Sequence, residues 1–212
     1  MHAPCAAFVL AGGRSSRMGV DKALAAFAGE PLVVHALRIL RAAGFEPAIA
    51  GARSPLETFA PVVEDSGRGP LDGICCALAS TQAHCAVFLP VDQPLVPPQL
   101  IHLLVEDAER TGAAVALPRA VGFTETFPVV LDRAALPVLQ AALEAGQGGC
   151  FRAFQQAAEA LGRPFRALPV ELLAQTGRVR HPRAVPASFW CLSVNTPADL
   201  TRAERLMSRS IA

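Results

Sequence analysis

The sequence predicts a three-layer α/β/α domain built on a mostly parallel central sheet, and three observations carry that expectation. Short apolar runs of strand length recur at Ala6–Leu10, Ala48–Ala50, Pro61–Val63, Ala86–Val91 and Ala113–Leu117. Segments of helical composition separate them, the alternation that produces parallel strands joined by helical crossovers. The 212 residues, 52% hydrophobic and 17% charged, suit one compact core, so a single domain over residues 1–212 is expected.

Each element has its own signal. Ala6–Leu10 is uniformly apolar and runs into Gly12-Gly13, as a buried strand feeding a glycine loop does. After Pro31, which suits a first helical turn, Leu32, Ala36, Leu37 and Leu40 share one helical face, and Gly44 marks the stop. Leu71, Ile74, Ala77 and Leu78 predict a helix opened near Pro70, and Leu100, Leu103 and Leu104 one opened by Pro97-Pro98. Both begin just past the carboxyl ends of strands, where open α/β sheets gather their ligands. Further on, Phe127–Leu131 reads as a strand, Arg133–Ala145 and Phe151–Leu161 as helices, Ala184–Leu192 as extended, and Pro197–Met207 as a final helix. Gly146–Gly149 and Gln175–Pro182 are expected to be mobile, but neither separates two domains.

A formal net charge of +1 provides no general field for nucleic acid or for an anionic membrane, so neither is expected as a partner and the ligand should be small. The six cysteines, at 5, 75, 76, 85, 150 and 191, form no CxxC pair and have no histidine at zinc-ligand spacing. Neither a metal cage nor a disulfide framework is expected, and free thiols fit a reducing compartment. The apolar run at Ala6–Leu10 is too short for a signal peptide and nothing reaches membrane-spanning length, so a cytoplasmic location is expected.

Lys22 is the only lysine; every other basic side chain is arginine. A compact ammonium donates to a phosphate oxygen in a way that a planar guanidinium does not reproduce. Lys22 closes the segment Leu10-Ala11-Gly12-Gly13-Arg14-Ser15-Ser16-Arg17-Met18-Gly19-Val20-Asp21-Lys22. Its glycines let backbone amides approach an anion, and Arg14, Arg17 and Lys22 can neutralise a triphosphate. The segment fits neither GxxxxGK[ST] nor GxGxxG, because Gly19 and Lys22 are not adjacent and the glycine spacing is wrong. Elsewhere Phe88-Leu89-Pro90-Val91-Asp92-Gln93-Pro94 is an apolar strand ending in an aspartate and a proline turn, so Asp92 is either a strand-end ligand for a hard cation or the cap of a turn.

The loop resembles the LAGGxSxRMGxDK signature of the molybdenum cofactor guanylyltransferases, including the GxPL helix start that follows, here Gly29-Glu30-Pro31-Leu32. The resemblance continues in Gly69-Pro70-Leu71-Asp72-Gly73-Ile74, in the Asp92 turn, where Val91 replaces the family's usual cysteine, and in Asn195-Thr196-Pro197-Ala198-Asp199-Leu200. It implies the nucleotide-diphospho-sugar transferase fold, a Rossmann-like nucleotidyltransferase. It implies GTP and molybdopterin as substrates, Mg²⁺ as cofactor, and molybdenum-cofactor delivery proteins as further partners. Arg17, Lys22 and Asp92 would be the catalytic groups, with Asp92 on the metal. Leu10, Ala11, Gly12, Gly13, Arg14, Lys22, Asp65 and Asp92 would bind GTP, and Ser193 and Asn195 the acceptor. Asp65 could accept the N1 and N2 protons of guanine, or could be a turn aspartate; Asn195 or Thr196 could equally cap the last helix. Ser193 stands where the family has asparagine, and Ala50-Gly51 ends the second strand where the family commonly has asparagine, so one nucleoside hydrogen bond is lost or supplied elsewhere. The rival readings are cytidylyl transfer from CTP, disfavoured because Gly12 replaces the second alanine of a LAAG loop, and a non-catalytic nucleotide-binding protein of the same fold.

Overall fold

The computed structural model describes residues 5–11, 21–51, 55–146 and 149–208. Strand β1 (Ala6–Leu10) lies at the middle of the main sheet, parallel to β4 (Ala48–Ala50) on one side and to β6 (Cys85–Pro90) on the other. Beyond β4 comes β5 (Val62–Val63), also parallel. Beyond β6 the order is β9 (Val129–Asp132), β7 (Val115–Ala120) and β10 (Phe165–Pro169), with β8 (Phe123–Thr124) pairing on β7. Strand β9 is antiparallel to both neighbours, while β7 and β10 are parallel to each other. The result is the mostly parallel sheet expected. A small hairpin, β2 (Ala26–Phe27) with β3 (Glu30–Pro31), sits apart from it.

Helices cover both faces because successive residues of a buried strand point opposite ways. Val9, Val87 and Leu89 pack towards α1 (Leu32–Ala42), α3 (Pro98–Thr111), α6 (Val170–Gln175) and α7 (Pro197–Ser208). Phe8, Leu10, Ala86 and Phe88 pack towards α2 (Pro70–Ser80), α4 (Leu136–Glu144) and α5 (Cys150–Leu161). Phe8 and Phe88, opposite each other in the register, stack with centroids 5.6 Å apart, a contact worth roughly 0.5–1.5 kcal/mol beyond the area it buries. The chain leaves β1 towards β4 and later returns to β1's other side as β6. The strand order therefore reverses at β1, and the carboxyl ends of β1 and β6 frame a switch-point crevice.

Two expectations need correction. Ala184–Leu192 is not extended: it holds a short 3-10 turn at Ala187–Phe189, and its apolar residues anchor a loop rather than face a sheet. Trp190 is 2% exposed, and its indole N–H donates to the Val185 carbonyl at 2.8 Å, folding the segment back on itself. Gln175–Pro182 is also not loose, since Val179 is buried and the Arg180 amide donates to Gln99 Oε1 at 2.7 Å, fastening the segment to α3. Of Gly146–Gly149, residues 147 and 148 lie outside the described residues. Strand β10 and helix α6 leave little apolar signal: β10 is an edge strand with an exposed Ala167 and a terminal proline, a place where proline is tolerated.

Candidate functional site at the carboxyl ends of the central strands

The register lines up the strand ends. Leu10 faces Ala50 on one side and Pro90 on the other, and Ala50 faces Val63, so four strands finish at one level. Past that level the backbone stays tied: the Ala11 amide donates to Ala50, the Val91 amide to Leu10 and the Gly51 amide to Val63. These bonds carry the pairing one residue beyond the strands and hold their exits together.

Asp92 follows β6 after one intervening residue, and contacts from two other parts of the chain, residues 191–194 and α1, hold its turn. The Val194 amide donates to the Asp92 carbonyl at 2.8 Å, bringing the segment before α7 alongside. Gln93 is 4% exposed, and its amide nitrogen donates to the Cys191 carbonyl at 3.2 Å. From α1, His35 reaches the Pro94 carbonyl through Nε2 at 2.8 Å. A carbonyl can only accept, so Nε2 carries the proton, and Nδ1 accepts from the Arg38 guanidinium at 2.7 Å. Burial holds the His35 pKa below its ordinary value, against the pull of Pro94 and Glu30, so the neutral ring is favoured.

Lys22 arrives from the opposite direction. It opens a 3-10 turn, Lys22–Leu24, which Asp21 caps by accepting from the Ala23 amide at 3.0 Å. The fully buried Ala23 and Phe27 seat that turn on the core beside α1. The Lys22 ammonium donates to Asp92 Oδ2 at 2.8 Å and to Asn195 Oδ1 at 2.7 Å. The Lys22 and Asp92 side chains are 18% and 23% exposed, partly screened yet open to a ligand.

Asn195 is held by the start of α7. Thr196 and Asp199 form a capping box: the Asp199 amide donates to Thr196 Oγ1, and the Asp199 carboxylate accepts from the Thr196 amide and hydroxyl. Asp199 also accepts from the Asn195 amide at 3.0 Å. The cap therefore falls to Thr196, and the Asn195 side chain is turned to the lysine. Ser193 lies two residues before Asn195, flanking the Val194 amide that binds Asp92.

At the other rim, Asp65 follows β5, and its Oδ1 accepts from the Gly67 amide at 3.0 Å, so the turn role is real. Its Oδ2 passes so close to Gly73 that a Cβ there would sit 3.1 Å away, and 3.5 Å from the Gly51 Cα. The carboxylate thus lies over the start of α2 and beside the end of β4. Asp72, which sequence reasoning did not single out, organises this rim. It is 1% exposed and accepts from the Ser66 amide, the Ser66 hydroxyl, the Arg68 amide and the Arg68 guanidinium. Burial alone would raise its pKa, but these donors outweigh it and hold the carboxyl below the ordinary range.

The fold and the site can now be set beside known proteins. A family model described as a MobA-like NTP transferase domain matches residues 7–161. The chain belongs to the MobA-like NTP transferase family.

Among the relatives of this MobA-like NTP transferase is a protein of Pseudomonas putida named molybdenum cofactor guanylyltransferase, 36% identical over 151 residues that cover 68% of this chain and 78% of that one. A Cupriavidus metallidurans protein of the same name is 35% identical over 150 residues, 65% of this chain and 74% of its own. Of the solved structures, a molybdopterin-guanine dinucleotide biosynthesis protein A from Archaeoglobus fulgidus superposes with a TM-score of 0.74 at 22% identity, covering 95% and 98% of the two chains. A 2-C-methyl-D-erythritol 4-phosphate cytidylyltransferase from Thermus thermophilus gives a TM-score of 0.64 at 18% identity, covering 97% and 98%. Likeness at that identity shows a shared fold, the nucleotide-diphospho-sugar transferase fold.

In this MobA-like NTP transferase, then, the described residues bring Lys22, Asp92 and Asn195 together, with Leu10 and Ala11 at the strand exit beside them and Asp65 at the far rim. Gly12, Gly13, Arg14 and Arg17, expected to cradle phosphate, lie outside the described residues. The missed contributors are Asp72, Gln93 and Asp199. A T-x-x-D pattern at Thr196–Asp199 and an acidic first turn at Asp72 were the visible signals for two of them. Nothing in sequence marks a buried glutamine that reaches a carbonyl nearly a hundred residues away.

Proposed function

We propose that this chain transfers a GMP moiety from GTP to molybdopterin, releasing pyrophosphate and forming molybdopterin guanine dinucleotide. The names of the relatives support the substrates, and one observation supports the chemistry: the Lys22 ammonium is shared by the Asp92 carboxylate and the Asn195 amide at the switch-point crevice.

In this reading the acceptor phosphate oxygen attacks the α-phosphorus in line, and the bond to the leaving pyrophosphate breaks on the far side. The attacking group is already an anion, so the protein needs no nucleophile of its own and acts by positioning and charge. Lys22 and Arg17 offset the triphosphate charge, and the amides near Gly12 and Gly13 take the leaving phosphates. Asp65 reads the guanine edge, while Ser193 and Asn195 face the acceptor. With Ala50-Gly51 ending β4, no side-chain donor or acceptor is offered there, and base selection falls to the Asp65 rim.

A magnesium requirement is part of the proposal. Asp92 and Asn195 already present two oxygens around one positive charge, which is the hard donor set that Mg²⁺ takes, so the residues fit the ion. Those two would hold it, and bound Mg²⁺ would supply charge neutralisation at the phosphates. Lys22 keeps both oxygens paired and oriented. No helix among the described residues is long and apolar enough to cross a membrane, and six free thiols fit best in the cytoplasm.

The test offers purified protein GTP, CTP or ATP with Mg²⁺ and molybdopterin and follows pyrophosphate. Release with GTP only is expected. Release with CTP alone would assign cytidylyl transfer instead, and nucleotide binding with no release from any of the three would make the protein a carrier or sensor.

A further inference from the structure

At the opposite end of the central strands, where β6 begins rather than ends, a second set of metal-ligating side chains converges. We propose that His84, Cys85 and Glu109 form a three-ligand binding site for a zinc-type divalent metal ion, with the fourth position open. The ligand atoms of His84, Cys85 and Glu109 all lie within 4.8 Å of one another, and His84 Nε2 is 3.6 Å from Glu109 Oε1. Tetrahedral zinc with bonds of about 2.0–2.3 Å places its ligands roughly 3.3–3.8 Å apart. The His84–Glu109 spacing already falls in that range, and the Cys85 sulfur lies within 4.8 Å of both, so small side-chain rotations would close the group on an ion. Cys5 precedes β1, the strand beside β6, but it stays outside the three-ligand group, its thiol donating to the Ala6 carbonyl at 3.4 Å.

Three independent features support the site. The donor set is imidazole, thiolate and carboxylate, which suits zinc and not magnesium. A cavity of about 210 Å³ opens here, bounded by His84, Cys85, Glu109, Asp132 and Arg163, so an ion has a way in. Glu109 sits in the last turn of α3, which ends at Gly112 in the left-handed conformation. A carboxylate is disfavoured at that negative end of the helix, and a bound cation reverses the disadvantage. Among the described residues, the arginine in the wall is already paired: Arg163 meets Asp132 at 2.8 Å and donates to the Gly112 carbonyl. Residue spacing hid the cluster, because Glu109 joins His84-Cys85 only through the docking of α3.

The site is distinct from the catalytic one. Along β6, Cys85 and Pro90 are about 17 Å apart at ~3.3 Å per residue, and Asp92 lies beyond Pro90. The experiment strips the protein with chelator, then titrates it with Co²⁺ and separately with Zn²⁺. Co²⁺ should give one equivalent of an intense, tetrahedral, thiolate-to-metal absorption, which Zn²⁺ displaces. H84A with E109A, both on partly exposed side chains, should weaken Co²⁺ binding by at least the ~10–100-fold that loss of a supporting hydrogen bond costs at metal sites. Its melting temperature should no longer rise with Zn²⁺, while pyrophosphate release with Mg²⁺ stays as in the parent. Absence of the absorption in the parent, or an unchanged titration in the double variant, overturns the assignment. A parent that binds Co²⁺ yet releases no pyrophosphate would leave this site standing and sink the transferase reading instead.

Discussion

The Lys22 ammonium and the Asp92 carboxylate, 70 positions apart in sequence, meet at 2.8 Å across the switch point of the sheet. Neither residue sits in a regular strand or α-helix; each occupies the turn just outside one. Their meeting depends on the Val91-to-Leu10 and Val194-to-Asp92 backbone bonds, which fix the exit of β6, and on the buried Ala23 and Phe27, which seat the Lys22 turn on the core.

If that pair serves phosphate chemistry, removing either partner should abolish turnover and leave the fold. Lys22→Ala is expected to lower the rate of pyrophosphate release about 100- to 1000-fold, the scale seen when one preorganised donor to a developing charge is lost. Lys22→Arg should not restore it, because a planar fork cannot occupy the place of an ammonium between two oxygens. Steady-state kinetics beside a circular dichroism spectrum checks both, and a fully active Lys22→Arg enzyme would argue that only net charge matters.

Gly73→Ala separates stability from binding. In the first turns of α2, alanine should add up to ~1 kcal/mol by helix propensity. Its Cβ would arrive 3.1 Å from Asp65 Oδ2, forcing that carboxylate aside by a few tenths of an ångström. A melting temperature equal to or above the parent's, with several-fold weaker GTP binding by calorimetry, is expected. Unchanged affinity would remove Asp65 from the nucleotide site.

Asp72 should be costly to neutralise. Its four donors lose their acceptor in Asp72→Ala, with an expected loss of about 3–5 kcal/mol, the range for stripping one partner from a buried charged network. Its folded pKa lies below the unfolded value, so the stabilisation it brings is complete above the ordinary aspartate range. It is lost as pH falls through the folded value. Urea melts from pH 5 downward should show a shallower acid decline in Asp72→Asn than in the parent.

His35 and His181 set a second pH window. Burial lowers both; His181, desolvated and near the Arg183 guanidinium, is pushed down to about 4. A histidine kept neutral in the fold stabilises it fully above the unfolded pKa of 6.5, and that stability drains as pH falls from 6.5 towards the folded value. Stability should therefore decline below pH 6.5 in the parent, and less steeply in His35→Gln, measured by denaturant midpoint at a series of pH values.

Asp199 tests the link between a helix cap and the site. Asp199→Ala removes the acceptor for the Asn195 and Thr196 amides, freeing the segment that presents Asn195 to Lys22. A higher KM for the acceptor with little change in melting temperature is expected. An unchanged KM would confine the capping box to local structure.

Much of the frame could be read without coordinates. An apolar run such as Ala6–Leu10, too short for a helix and ended by glycines, reads as a buried strand, and prolines at 70 and 98 open helices because their missing N–H is not needed there. The pattern was weak at the edge strand β10, where only Leu168 is buried, and at the Trp190 loop, whose irregular backbone has no repeat to follow.

Chemical types and local turns were written in the chain: one lysine after a glycine loop, one aspartate after an apolar strand, a T-x-x-D cap. Which of them share a crevice was decided by tertiary structure alone. Lys22, Asp92 and Asn195 are separated by 70 and 173 positions from first to each partner, and only parallel pairing of β1 with β6 and docking of α7 bring them within a hydrogen bond. Local propensity acts over a few residues, whereas a polar contact of under 3 Å demands that three strand and helix ends be placed at once.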